Sequence, residues 1–163
     1  MDLVIAVDDP RIDDVRTLLD RHLAFAREVT PFDHVHAMEV DDLLSPAVTF
    51  FSARRDGALL GVGALKRLDE THAELKSMHT SEAARGQGVG RAMVAHLLAV
   101  AADRRYQRVS LETGTGDAFV PARALYTTAG FEPCAPFGGY TDNPHSAYMT
   151  IDLAEGAGGR RQS

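Results

Sequence analysis

Between Arg85 and Arg91 the chain reads Arg-Gly-Gln-Gly-Val-Gly-Arg, three glycines at alternate positions between two guanidinium groups, a combination suited to holding phosphates. Gly86, Gly88 and Gly90 let the backbone approach a ligand closely and take conformations that a side chain forbids. An apolar-alternating stretch precedes the run and an amphipathic pattern follows it, so the loop joins a strand to a helix. Its free amides then lie at a helix N-terminus, where the dipole favours a di- or triphosphate. Arg85 and Arg91 add positive charge. The run is not a P-loop, because no Gly-x-x-x-x-Gly-Lys-Ser/Thr occurs anywhere in the chain, and nucleotide hydrolysis is set aside. Nor does it fit the dinucleotide fingerprint Gly-x-Gly-x-x-Gly, which would need glycine at position 91, where Arg91 stands.

The Arg-x-x-Gly-x-Gly pattern of Arg85, Gly88 and Gly90 resembles the acyl-CoA pyrophosphate loop of the GNAT N-acetyltransferase superfamily. A second block follows in the right order: Leu111-Glu112-Thr113-Gly114 ends an apolar strand, and Leu125, Tyr126, Gly130 and Phe131 resemble the family's Leu-Tyr-x-x-x-Gly-Phe ending. Segments 75–80, 111–114, 121–126, 134–140 and 142–146 look like those of a bacterial subgroup of small stand-alone GNAT proteins. The resemblance spans about residues 2–153.

It implies an α/β fold: a mixed, mostly antiparallel central sheet with splayed fourth and fifth strands and helices on both faces. The implied activity is N-acetyl transfer from acetyl-CoA to a primary amine of a small molecule, by direct attack in a ternary complex. The amine would belong to an amino acid, an amine metabolite or an antibiotic. The alternative is an acyl-CoA-binding sensor or interaction module without turnover. By alignment, Met78 and Thr80, with His79 between them, fall where the family's main chain pairs with pantetheine. Arg85, Gly86, Gln87, Gly88, Val89, Gly90 and Arg91 fall where it holds the pyrophosphate. Two positions depart from the family: Glu82 stands in place of a proline and Phe119 in place of an asparagine.

Tyr126 sits where the family often has a tyrosine that protonates the departing sulfur; orienting the thioester, or packing alone, are the competing roles. Such a phenol is protonated at neutral pH. For the base the residues leave Glu74, Glu112 and His79 open, together with a water relay. Period two puts Glu74 on one face of the fourth strand with Lys76, Met78 and Thr80, and His79 on the other with Leu75 and Ser77. The amide near Met78 is the expected oxyanion donor. His36, in an irregular segment over the expected site, and Tyr140, between the last two strands with Phe137, Asn143 and His145, are candidate acceptor contacts. His34 and His36 form a His-x-His pair with no third matched ligand, so no metal is expected. A homodimer is an expectation from resemblance alone.

The remaining sequence must position these groups. At 163 residues with 45% apolar and 25% charged content, the chain has the length and composition of one soluble domain. A net charge of −6 and the lack of any basic tract beyond Arg160-Arg161 argue against nucleic acid as a partner. An acidic surface suits a cationic substrate, although solubility also explains it. No apolar run approaches the span of a bilayer, and the first residues lack a secretory pattern. With Cys134 as the single cysteine, a reducing cytoplasm is the expected location. The domain is expected over 1–153, with a disordered polar tail over 154–163. Strands are predicted at 3–7, 47–54, 58–68, 72–79, 108–112, 131–134 and 146–153. Helices are predicted from Ile12 to about Glu28, after the glycine loop, and over 117–129. Asp56-Gly57 predicts a tight hairpin, and 30–46 is read as a loop with a short helix.

Overall fold

The computed structural model describes residues 3–29, 43–138, 140–142 and 144–153, with backbone alone for 22–29. Strand β1 (Val4–Val7) leads through Pro10 into helix α1 (Asp13–Val29), whose first turn carries Asp13 and Asp14, the favourable charge for that end. Strands β2 (Val48–Arg55) and β3 (Ala58–Arg67) form the expected hairpin. Its turn residues Asp56 and Gly57 both have positive φ, 54° and 82°, as a turn with the twist of the flanking strands requires. Strand β4 (His72–Thr80) passes through a single 3-10 turn (Glu82–Ala84) and the glycine loop into helix α2 (Val89–Asp103). Strand β5 (Arg108–Gly114) follows, then a 3-10 turn (Asp117–Phe119), helix α3 (Val120–Ala129), the short strand β6 (Glu132–Pro133) and strand β7 (Ser146–Asp152).

The seven strands form one sheet in the order β1-β2-β3-β4-β5-β7-β6. The β4–β5 pair is parallel, as the α2 crossover between them demands, and the remaining pairs are antiparallel. On one face α2 and α3 bury Val89, Met93, Val94, Leu97 and Tyr126 against Leu65, Leu75, Val109, Leu111 and Met149. On the other, Val15, Leu18 and Leu19 of α1 cover Phe50, Val62 and Ala64. Burial of each such side chain contributes roughly 1.5–3 kcal/mol. Close approach of α2 depends on Gly63: a Cβ there would lie 2.7 Å from Met78 Sδ and 2.9 Å from Met93 Cγ.

Two irregularities in β4 shape everything that follows. Pairing with β5 runs from His72↔Arg108 to Leu75↔Leu111 and stops, although β4 continues to Thr80 and β5 to Gly114. The fourth and fifth strands therefore part. On the other edge, register with β3 passes from Ala64↔Lys76 to Val62↔His79, so Ser77 and Met78 together oppose Gly63. Ser77 takes φ 55° in this bulge. The extra residue reverses the alternation: Met78 packs into the α2 side, whereas His79 pairs with Val62, which faces α1. This corrects the face expected from strict period two. Met78 and Thr80 do not share a face with Glu74 and Lys76; His79 does.

The predicted helix over 117–129 is a 3-10 turn followed by a shorter α-helix, and the strand over 131–134 shrinks to Glu132–Pro133. Most of the irregular segment over 30–46, with His34 and His36, and the tail over 154–163 lie outside the described residues.

Candidate active site

The glycine loop forms as its composition demands. Gly86 and Gly88 both adopt left-handed backbone, with φ of 82° and 81°, and Gly88 is the N-cap of α2. A glycine cap has no side chain to offer the first amides of the helix, so those of Val89, Gly90 and Arg91 lack an acceptor in their own helix. Val89 itself points inward and is buried, while Arg85, Gln87 and Arg91 are exposed. Gln87 Oε1 accepts from Arg55 of the β2–β3 hairpin at 3.2 Å, tying the loop to the sheet. Gly90 has a different task from its neighbours. A Cβ there would sit 3.2 Å from Leu125 Cδ2 and 3.6 Å from Thr80 Oγ1, so its small size lets the end of β4, the start of α2 and helix α3 meet. Glu82, in the place of the expected proline, is exposed in the 3-10 turn before the loop.

Tyr126 lies one residue from that junction. Its ring is buried among the residues between sheet and helices and packs edge-on to Phe131, with centroids 5.8 Å apart. Burial pushes its phenol well above the usual tyrosine value, so the group stays protonated. Phe119 lies against Gly114, where a Cβ would be 2.2 Å from its ring. Arg123 holds the intervening loop by donating to the carbonyls of Gly114 and Gly116, at 2.6 and 3.1 Å.

The opposite face of the sheet is polar around the opening. Glu74 is 3% exposed, and its Oε2 accepts from the Tyr140 hydroxyl at 2.7 Å and from Lys76 Nζ at 3.2 Å. Lys76 also donates to the Tyr140 oxygen at 2.8 Å, and its ammonium stands 5.4 Å from the centre of that ring. Burial first, then the carboxylates of Glu74 and Glu112, drive the Tyr140 phenol far above its ordinary range. Tyr140 is therefore a fixed donor. Glu112, near the end of β5, accepts from Ser146 Oγ and faces the same tyrosine. Beneath them His72 Nε2 meets Ser110 Oγ at 2.7 Å, and Ser110 meets Thr150 at 2.8 Å. Burial, with Arg108 adding to it, lowers the His72 pKa.

Three rings roof this polar floor. Phe137, Tyr140 and Tyr148 contact one another with centroids 5.3 to 5.9 Å apart. Tyr148 is pinned through its hydroxyl to the Thr141 carbonyl. An aromatic ring beside a buried carboxylate attracts an alkylammonium, and the Lys76 ammonium, 3.2 Å from Glu74 and 5.4 Å from the centre of the Tyr140 ring, is such a group.

The structure thus brings together Glu74, Glu112 and Tyr140 on one face, and Arg85 to Arg91 with Tyr126 toward the other. Met78, His79 and Thr80 lie on the strand between them, where β4 has left β5. His145 is half-buried and its carbonyl accepts from the Thr115 amide; Asn143 and His36 lie outside the described residues. Cys134 follows the outermost strand β6, and burial pushes its thiol up despite the opposing pull of Arg108. Sequence reasoning gave Lys76 no role, because its partner Tyr140 stands 64 residues away. Tyr148 and Ser146 escaped notice for the same reason: their partners come from the β5–β7 pairing and the loop between β6 and β7.

Known proteins resemble this chain in sequence and in fold. The model of the acetyltransferase (GNAT) family matches residues 12–131. The uncharacterized N-acetyltransferase YsnE of Bacillus subtilis (strain 168) is 40% identical over 149 residues, 91% of this chain and 99% of that protein. The uncharacterized N-acetyltransferase YedL of Escherichia coli (strain K12) is 40% identical over 151 residues, 93% and 95% of the two chains. Among solved structures, a Bacillus subtilis acetyltransferase in complex with CoA superposes with a TM-score of 0.70 at 18% identity, over 93% of this chain and 99% of that one.

Proposed function

The chain belongs to the GNAT acetyltransferase family, and from that premise we propose that it transfers the acetyl group of acetyl-CoA to the primary amine of a small molecule, by direct attack within a ternary complex. The observation that carries the reading is the parting of β4 and β5 beyond Leu75↔Leu111, with the glycine loop on one side and the Glu74–Lys76–Tyr140 cluster on the other. The residues fit acyl-CoA. Uncapped amides at the start of α2, beside the exposed Arg85 and Arg91, suit a pyrophosphate. The β4 edge beyond Leu75, where the ladder to β5 has ended, suits the amides of pantetheine. Acetyl-CoA supplies the activated acyl group and a thiolate that leaves readily.

An alkylammonium with a pKa near 10.4 is neutral in about one molecule in 10³ at pH 7, a penalty of roughly 4–5 kcal/mol. Relief of that penalty is the task assigned to the α1 face. Glu74 and Glu112 attract the ammonium, and the electron-rich faces of the aromatic rings hold it. Glu74 or Glu112 then takes the proton, directly or through water, as the amine attacks. Amides near Met78 receive the developing oxyanion. Tyr126, kept protonated by burial, donates to the departing sulfur or orients it. Direct transfer is favoured over an acyl-enzyme because burial raises the thiol pKa of the single cysteine, Cys134, and so keeps it from being the thiolate a nucleophile needs.

The test is thiol release from acetyl-CoA by the purified protein against amino acids, polyamines, aminoglycosides and peptides, with CoA affinity measured in parallel. Turnover with one class of small amine is the expected result. Turnover confined to peptides would refute the small-molecule reading, and labelled enzyme after acetyl-CoA alone would refute direct transfer.

A further inference from the structure

Ser77 combines three features that no other described residue shares. It is the bulged residue of β4, held at φ 55°, a backbone conformation that serine, with its Cβ, adopts at a cost. It lies two residues beyond the last β4–β5 pair, where the strands have parted. And its Oγ is the one buried side-chain polar atom among the described residues with no hydrogen-bond partner.

A buried hydroxyl without a partner and a left-handed backbone are separate penalties, and they fall on the same residue. Neither helps the fold. Glycine would relieve the first, and any apolar residue the second. Where both persist together at a ligand opening, the missing partner is sought in the ligand. The residue as a whole is part-exposed although Oγ is not, so the hydroxyl lies just beneath the surface of the strand and has staggered χ1 positions in which to meet a ligand.

We propose that the Ser77 hydroxyl donates a hydrogen bond to a carbonyl oxygen of the bound acyl-CoA, making Ser77 a catalytic or cofactor-positioning residue beside the backbone amides of β4. The inference rests on the acyl-CoA reading above. Two carbonyl sources share this chemistry, the acyl thioester and the pantetheine amides, and they separate by experiment. CoA itself has the amides and lacks the thioester.

Ser77→Ala and Ser77→Gly are compared with the wild type in three measurements: Kd for CoA, Kd for acetyl-CoA, and kcat at saturating acetyl-CoA. Ser77→Gly guards against a trivial loss of folding, because glycine relieves the positive φ and should raise Tm. The expected result in both variants is a 3- to 10-fold loss, the size of one neutral hydrogen bond. A loss in kcat with unchanged CoA affinity identifies the thioester carbonyl; an equal loss in both affinities identifies a pantetheine amide. A purely structural serine would leave affinity and turnover at wild-type levels in Ser77→Gly, and that pattern overturns the proposal. Wild-type protein that binds no CoA sinks the acyl-CoA reading and this inference together, whereas wild-type binding with unaffected variants sinks this inference alone.

Discussion

Glu74 Oε2 already accepts hydrogen bonds from Lys76 and Tyr140, so taking a proton from the amine at that oxygen depends on one of those donors moving or being displaced. On the proposed mechanism, the incoming ammonium replaces the Lys76 ammonium at that oxygen. Glu74→Gln is therefore expected to lower kcat by at least about 10², the usual worth of a general base, with CoA affinity unchanged; full turnover would move the role to Glu112 or water. Tyr140→Phe deletes one of the donors and is expected to raise KM for the amine while Kd for CoA stays constant. At Tyr126 the raised pKa has a distinct signature. Loss of its proton cannot shape a rate profile below pH 10, so Tyr126→Phe should lower kcat about tenfold at every pH from 6 to 9. Full activity in that variant would leave Tyr126 as a packed ring against Phe131.

The glycine loop and the β4 bulge show what can be read at the level of elements. Gly86 and Gly88 announce their left-handed backbone by residue type, as Asp56-Gly57 announces its hairpin. Gly88→Glu should abolish CoA binding, because it puts a strained Cβ and a carboxylate at the start of α2; titration calorimetry with CoA tests this. Ser77 gives no such signal. Serine alternates in β4 like any strand residue, and the inserted residue is visible only in the pairing with β3. Hence the strand itself was legible and the faces of Met78, His79 and Thr80 were not. Phe119 was read as a departure from a family asparagine, whereas the ring fills the space over Gly114. Gly114→Ala would drive a methyl into that ring and should cost about 1–3 kcal/mol, measured by urea unfolding. The Glu74–Tyr140 contact, spanning 66 residues, had no local pattern to betray it.

Across the whole molecule, polar groups buried on the α1 face link stability to pH. Burial holds the His72 pKa below its ordinary 6.5, so the folded chain resists a proton that the unfolded chain accepts. Stability is then fully present above about pH 6.5 and declines as pH falls below it, because the unfolded state binds more protons there. Urea midpoints measured from pH 7.5 to 5 should drop, and His72→Gln, which keeps a side chain able to bond Ser110, should flatten the drop. A midpoint independent of pH in the wild type would refute this. Among the described residues no helix is long and apolar enough to cross a membrane. The order of strands has a last consequence, and it concerns inheritance. The glycine loop is built from the end of β4 and the start of α2, whereas Phe137, Tyr140 and Tyr148 come from β7 and the loop before it. On the acceptor role proposed for them, descendants of this chain can exchange those three rings, and with them the amine, without altering one residue of the glycine loop; diversification of diet is then confined to one surface.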